Sequence, residues 1–260
     1  MVFDNVNSDR VRRYRSLHQA SARKRSGLYL VEGPQSVREL VRFAPGAIET
    51  LYLTEQSLAR YSEIHDAAQA NSVPITLATD EVIKAISENA QQVLAVTKSA
   101  TAKTEVEPAK LVAVLHNVRD PGNAGTVIRV ADAAGADLVI LTGDSVDLTN
   151  PKVVRSTAGS LFHLPVTKVS DLASIVQSLK QNNIQVLAAA GGGDTTLTSP
   201  TLDLTKPTAW IFGNEAWGLS QSDAALADKA VSIPIYGQAE SLNLATAAAV
   251  CLYASANAQH

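Results

Sequence analysis

The sequence predicts an α/β protein: a small α/β unit followed by a larger one built on a mostly parallel sheet with helices on both faces. Three observations predict it. Short apolar runs alternate with helix-like segments along most of the chain. A polar stretch without periodicity divides that alternation in two, and the apolar runs of the second half feed loops rich in glycine and small polar residues. With 260 residues, 46% hydrophobic and 18% charged, the chain is long enough to bury a sizeable core.

In order, GLYLVEG reads as a strand, 34–43 as a helix, IETLYLT as a strand, 55–71 as a helix and PITLAT as a strand. A helix from Asp80 and the strand QQVLAVTK follow, ending near Lys98. SATAKTEVEPAK, 99–110, contains Pro108 and reads as a linker, so the expected division is a domain at 1–98, a linker at 99–110 and a second domain at 111–260. The second half opens with LVAVLHNV, a helix after Pro121, DLVILTG, a short helix near 152–158 and LFHLPVTKV. It continues with a helix over 171–182, QVLAAAG, AWIFGN, a helix from Ser220, KAVSIPI and an alanine-rich terminal helix. Nearly continuous apolar strands separated by helices argue for a sheet covered on both faces, whose ligands bind at the carboxyl ends of the strands.

Composition excludes several classes. The most apolar run, 244–256, falls short of the roughly 20 residues of a membrane span. The single cysteine, Cys251, rules out an internal disulfide and a cysteine zinc cage, and fits a reducing cytoplasm. No metal site is expected: the five histidines are scattered without ligand spacing, and no HExxH, GxSxG or Walker loop is present. His116 and His163 adjoin apolar strands and read as structural. The net charge is −3, yet seven basic residues and no acidic one lie between Arg10 and Arg25. That basic arm suits phosphate contact or a plain solvated face, and charge alone does not choose between them; Asp4 and Asp9 count against a transit peptide.

Three loops of the second half are candidates for chemistry. HNVRDPGNAGTVIRVADAAGA allows a tight strand-to-helix turn at Pro121, Gly122 and Gly125, with Asn123 near the helix start and Arg129 about two turns in. A bland alternative pairs Arg129 with Asp132 at i,i+3. WIFGNEAWGLS runs from a strand into Gly213, Asn214 and Glu215, and Gly213 is expected to let a ligand lie against the main chain. SIPIYGQAESLN ends a strand and opens the terminal helix, with Ser241 expected to cap it.

Taken together, these loops resemble the three motifs of the SpoU or TrmH family of RNA ribose 2′-O-methyltransferases, within the SPOUT class. NAGTVIRVADAAGA is similar to motif one, FGNEAWGLS to motif two and IPIYGQAESLNLATA to motif three, in the same order and spacing. The resemblance is strong over 111–256 and weaker over 10–98, where LYLVEGPQSVREL is similar to a substrate-binding domain of ribosomal-protein (L30e-like) fold. Actinobacterial members, including the thiostrepton-resistance type, share the arrangement.

The resemblance implies a deep trefoil knot near the C-terminus, S-adenosylmethionine (AdoMet) bound in the knotted region, and a homodimer formed through the catalytic domain. It implies cofactor contacts at Gly213, Ile233 and Leu242, with Ala190 and Gly191 adding to the pocket. Methyl transfer to a ribose 2′-hydroxyl would centre on Arg129, with Asn123, Ser241 and Asn243 positioning the nucleotide and Glu215 orienting either that group or Arg129. Arg12, Arg13, Arg23, Lys24 and Arg25 become RNA contacts. Ribosomal RNA, 23S above all, is expected before tRNA. A noncatalytic RNA-binding or ribosome-assembly factor of the same fold is the competing reading.

Overall fold

The computed structural model describes residues 2–99 and 109–260; of the linker expected at 99–110, positions 100–108 lie outside the described residues. The chain begins with α1 (Asp9–Arg15), α2 (Ala20–Ser26), β1 (Leu28–Glu32), α3 (Pro34–Phe43) and β2 (Ile48–Leu53). Next come α4 (Glu55–Arg60), α5 (Ser62–Ala70), β3 (Ile75–Leu77), α6 (Asp80–Ile86) and β4 (Val93–Lys98). Then follow β5 (Leu111–His116), α7 (Pro121–Ala133), β6 (Leu138–Thr142), α8 (Pro151–Ser156), β7 (Val166–Val169), α9 (Leu172–Gln181) and β8 (Gln185–Ala189). The chain closes with β9 (Thr195–Thr196), β10 (Thr208–Phe212), α10 (Gln221–Ala224), β11 (Lys229–Ser232) and α11 (Leu244–Gln259). None of the helices among the described residues is long and apolar enough to cross a membrane.

Two compact units result, one comprising Met1–Thr101 with Asp147–His163 and the other Ala102–Val146 with Leu164–His260. The first holds a four-stranded sheet, order β1-β4-β2-β3, with only the β2/β3 pair parallel. Alternation along β1 fills both its faces: Tyr29 and Val31 pack with Val37, Leu40 and Val41 of α3, while Leu28 and Leu30 pack with Val11, Tyr14 and Leu17. The basic stretch is therefore two short helices anchored by apolar side chains. Val154 of α8 belongs to the first of these cores. The buried Glu32 carboxylate accepts from Ser87 and from the Arg155 guanidinium, which compensates a charge otherwise costly to bury.

The second unit carries a seven-stranded parallel sheet in the order β7-β6-β5-β10-β8-β11-β9. Apart from His116 at the end of β5, its strands β5, β6 and β10 are fully buried, as their apolar runs require. Chain order reverses at the β5/β10 boundary, where β10 lies in register between β5 and β8 (Trp210 beside Ala113 and Leu187). Alanines at 245, 248 and 256 give α11 a small-residue buried side; Trp210 Nε1 donates to Ser255 Oγ at 2.9 Å. Burial pushes the Cys251 thiol on this helix up to about 12, as expected of a structural cysteine.

Candidate active site

Three loops leaving the carboxyl ends of β5, β10 and β11 converge through side-chain hydrogen bonds. After β5, Asn117 takes a left-handed conformation (φ 56°), its Oδ1 accepting from Asp144 N at 2.8 Å. Asp120 then caps α7 by accepting from Asn123 N at 2.7 Å, with Pro121 in the first helical position. The Arg129 side chain is exposed and has no hydrogen bond or ion pair among the described residues, so no pairing with Asp132 holds it.

The loop after β10 is a closed turn. Asn214 and Gly218 exchange backbone hydrogen bonds at 3.0 and 2.9 Å. The buried Asn214 amide donates to Asn117 O at 2.8 Å and accepts from Ala216 N at 2.8 Å, tying this turn to the first loop. A β-carbon on Gly213 would lie 2.4–2.5 Å from the backbone of Gly218 and Leu219. The chain's own return past this residue thus requires glycine whether or not a ligand is bound.

Glu215 reaches from this turn to the first loop. Its carboxylate accepts from Arg119 N at 3.4 Å, Asp120 N at 3.1 Å and Asn123 Nδ2 at 3.5 Å, a set of donors at a helix N-terminus that suits a negative charge. Asn123 Oδ1 in turn accepts from Asn243 Nδ2 at 3.1 Å. Asn243 Oδ1 accepts from Ala245 N (2.9 Å) and Thr246 N (3.4 Å), so Asn243 caps α11. The cap expected at Ser241 lies two residues too early; Ser241 is exposed and has no hydrogen bond among the described residues.

Beside this chain of side chains lies a cavity of about 310 Å³. Ala190, Gly191, Gly213, Ile233 and Leu242 all line it, as do Glu215 and Ser241. Asn123, Arg129 and Asn243 do not. Phe212, Val231 and Leu244 make much of the wall apolar, while Glu240, Ser241 and Asn214 offer polar groups, the usual make-up of a small-molecule site. Gly191 leaves open space where a side chain would stand.

The histidines have structural surroundings. His116 Nδ1 pairs with Thr142 Oγ1 at 2.9 Å, and Nε2 lies 2.8 Å from Asn117 Nδ2 and 3.4 Å from Asp223 Oδ2. His163 packs on Phe43 (centroids 4.6 Å apart) and meets Glu39 Oε2 at 3.3 Å.

Within the first unit, Arg12, Arg13, Lys24 and Arg25 are exposed, but Arg23 is buried. Its guanidinium donates to Asp147 Oδ2 (2.7 Å from Nη2), Thr149 Oγ1 (3.0 Å), Leu17 O and His18 O (3.0 Å each). The expectation of Arg23 as an RNA contact is corrected accordingly, since its donors are engaged inside the protein. Burial alone would raise the Asp147 carboxyl, but the hydrogen bonds from Arg23 and Thr149 outweigh it and hold it below its ordinary range. From sequence, Asn214 is named without a role and Asp120 and Asn117 are not singled out; the Asp-Pro step before an apolar helix is the readable signal for Asp120.

Comparison with known proteins agrees with this arrangement. Residues 110–253 match the SpoU rRNA Methylase family, and residues 8–95 match the MRM3-like substrate binding domain. The chain is 32% identical over 255 residues to the 23S rRNA (guanosine(2553)-2′-O)-methyltransferase RlmP of Bacillus subtilis, covering 96% of this chain and 97% of that protein. It is 30% identical to the 23S rRNA (uridine(2479)-2′-O)-methyltransferase of Streptomyces viridochromogenes, over 91% of this chain and 85% of that one. The crystal structure of the SpoU methyltransferase AviRb from Streptomyces viridochromogenes in complex with AdoMet superposes with a TM-score of 0.82 at 28% identity, covering 96% of this chain and 98% of that chain. The chain belongs to the SpoU rRNA methylase family.

Proposed function

We propose that this chain is an AdoMet-dependent enzyme that methylates a ribose 2′-hydroxyl of structured RNA, with 23S ribosomal RNA as its substrate class. The observation that carries the reading is the Asn243–Asn123–Glu215 chain, which joins the three loops alongside a cavity of ligand size. The names and coverage of the relatives support the same chemistry.

The residues lining the cavity fit AdoMet. Small residues at 190, 191 and 213 leave main-chain groups accessible, and Ile233 and Leu242 offer apolar contact to a purine. When bound, AdoMet would supply an electrophilic methyl group, its sulfur leaving as a neutral thioether while the 2′-hydroxyl gives up its proton to solvent as the new C–O bond forms. Glu215 acts as a positioning group: its oxygens already accept from two backbone N–H groups, so it fixes the first loop. Asn123 and Asn243 set the acceptor nucleotide, and Ser241 offers an unengaged hydroxyl at the cavity edge. Arg129, exposed and uncommitted, clamps the substrate phosphate and stabilises negative charge developing on the 2′-oxygen. Holding that oxygen in line with the methyl carbon supplies much of the acceleration.

Arg12, Arg13, Lys24 and Arg25 contribute phosphate contact. The protein acts as a homodimer in the cytoplasm, with exposed Val250 and Tyr253 of α11 available to a second copy, and α11 is the segment drawn through the knot. The test is direct: calorimetric titration with AdoMet, then transfer of labelled methyl to 23S rRNA and tRNA. Transfer to tRNA alone overturns the substrate class; binding without transfer to either RNA favours a noncatalytic factor.

A further inference from the structure

Four of the eight exposed large hydrophobic residues among those described, Trp217, Ile235, Tyr236 and Leu242, sit on the two loops that follow β10 and β11. Ile235 and Leu242 line the cavity, so a ligand there covers them. Trp217 and Tyr236 do not line it, and stay 63% and 90% exposed. Composition does not explain this: the other tryptophan, Trp210, is wholly buried.

Trp217 is also held in place. It lies inside the turn closed by the Asn214–Gly218 hydrogen bonds, and Asn214 anchors that turn to Asn117. The Arg119 guanidinium stands over its ring at 5.7 Å from the centroid and also pairs with Asp144 at 2.9 Å. An indole has few rotatable bonds and so loses little freedom on stacking, and the guanidinium brings positive charge beside it. The turn carries the charged Glu215, which accepts from the Arg119 and Asp120 backbone N–H groups and the Asn123 amide, unlike the core of a protein interface, which is depleted in charge.

We infer that Trp217 is a stacking platform for a base of the substrate RNA, next to the cavity and positioned by Arg119; this rests on the proposed RNA methylation. An unpaired base presents the flat face that such a ring takes, whatever its identity. Trp217 is thus a positioning residue: it acts on the seating of RNA.

The test uses the full chain, AdoMet and an in vitro transcript of 23S rRNA. In the free protein, acrylamide should quench Trp217 emission and spare Trp210, and the transcript should shield Trp217. Trp217→Ala should raise the KM for RNA by about tenfold or more, with kcat and AdoMet affinity changed much less. Trp217→Phe should recover most of the loss and Trp217→Leu little. An unchanged KM in Trp217→Ala, or full recovery by leucine, overturns the platform. Shielding of Trp217 in the free protein, with monomers formed by Trp217→Ala, overturns it in favour of a face between copies. RNA that shields Trp217 without receiving methyl from the unsubstituted protein retains the platform and overturns the proposed methylation.

Discussion

Asn243 Nδ2 lies 3.1 Å from Asn123 Oδ1, while Asn243 Oδ1 caps α11. One side chain therefore starts the terminal helix with its oxygen and joins the third loop to the first with its nitrogen. The two tasks can be separated. Asn243→Ser keeps a capping oxygen and loses the bridge, so its melting temperature should stay close to that of the unsubstituted protein while methyl transfer falls by on the order of tenfold or more. Asn243→Ala should lose both, with about 1 kcal/mol of stability gone in denaturant unfolding. Equal activity in the Ser variant would remove Asn123–Asn243 from the site.

The oxygens of Glu215 serve different backbone donors, Oε1 for Asp120 and Oε2 for Arg119. Glu215→Gln replaces one acceptor with a donor facing an N–H group, so one contact becomes repulsive. The expected outcome is a kcat lowered by roughly tenfold or more, with AdoMet affinity within a few-fold in calorimetry.

Gly213 and Gly191 line the same cavity for different reasons. Gly213→Ala puts a methyl group well inside van der Waals contact with the Gly218 and Leu219 backbone and should destabilise the protein by roughly 1–3 kcal/mol on chemical denaturation. Gly191→Ala meets open space, so stability should be nearly unchanged while AdoMet binding weakens.

The Arg23–Asp147 pair should be visible in acid. The folded Asp147 carboxyl is held below its ordinary range, so its contribution to stability is present above that range and is lost as pH falls through the folded value. Asp147 is 37% exposed, so solvent weakens the contribution. Melting temperatures measured between about pH 6 and 3 should fall less steeply in Arg23→Met, from a lower starting value.

Sequence patterns placed the three loops because glycine, proline and asparagine punctuate strand ends wherever they lead. The residues that close the loops on one another were less legible. Gly213 reads as a place for a ligand to lie against the main chain and does line the cavity, but that the backbone of Gly218 and Leu219 excludes a side chain there is not legible in the sequence. Arg23 read as one more cation in a basic run, because its partner Asp147 is 124 positions away. Ser241 and Asn243 are both good caps, and only the geometry of the turn selects the second.

The most direct measurement is methyl transfer from labelled AdoMet to 23S rRNA by the unsubstituted protein and by Arg129→Ala, with ribose methylation mapped on the product. The account predicts a ribose 2′-O-methyl group in the first case, and in the second a loss of transfer with AdoMet affinity largely retained. Substantial transfer by Arg129→Ala, or a methyl group found on a base, would contradict it.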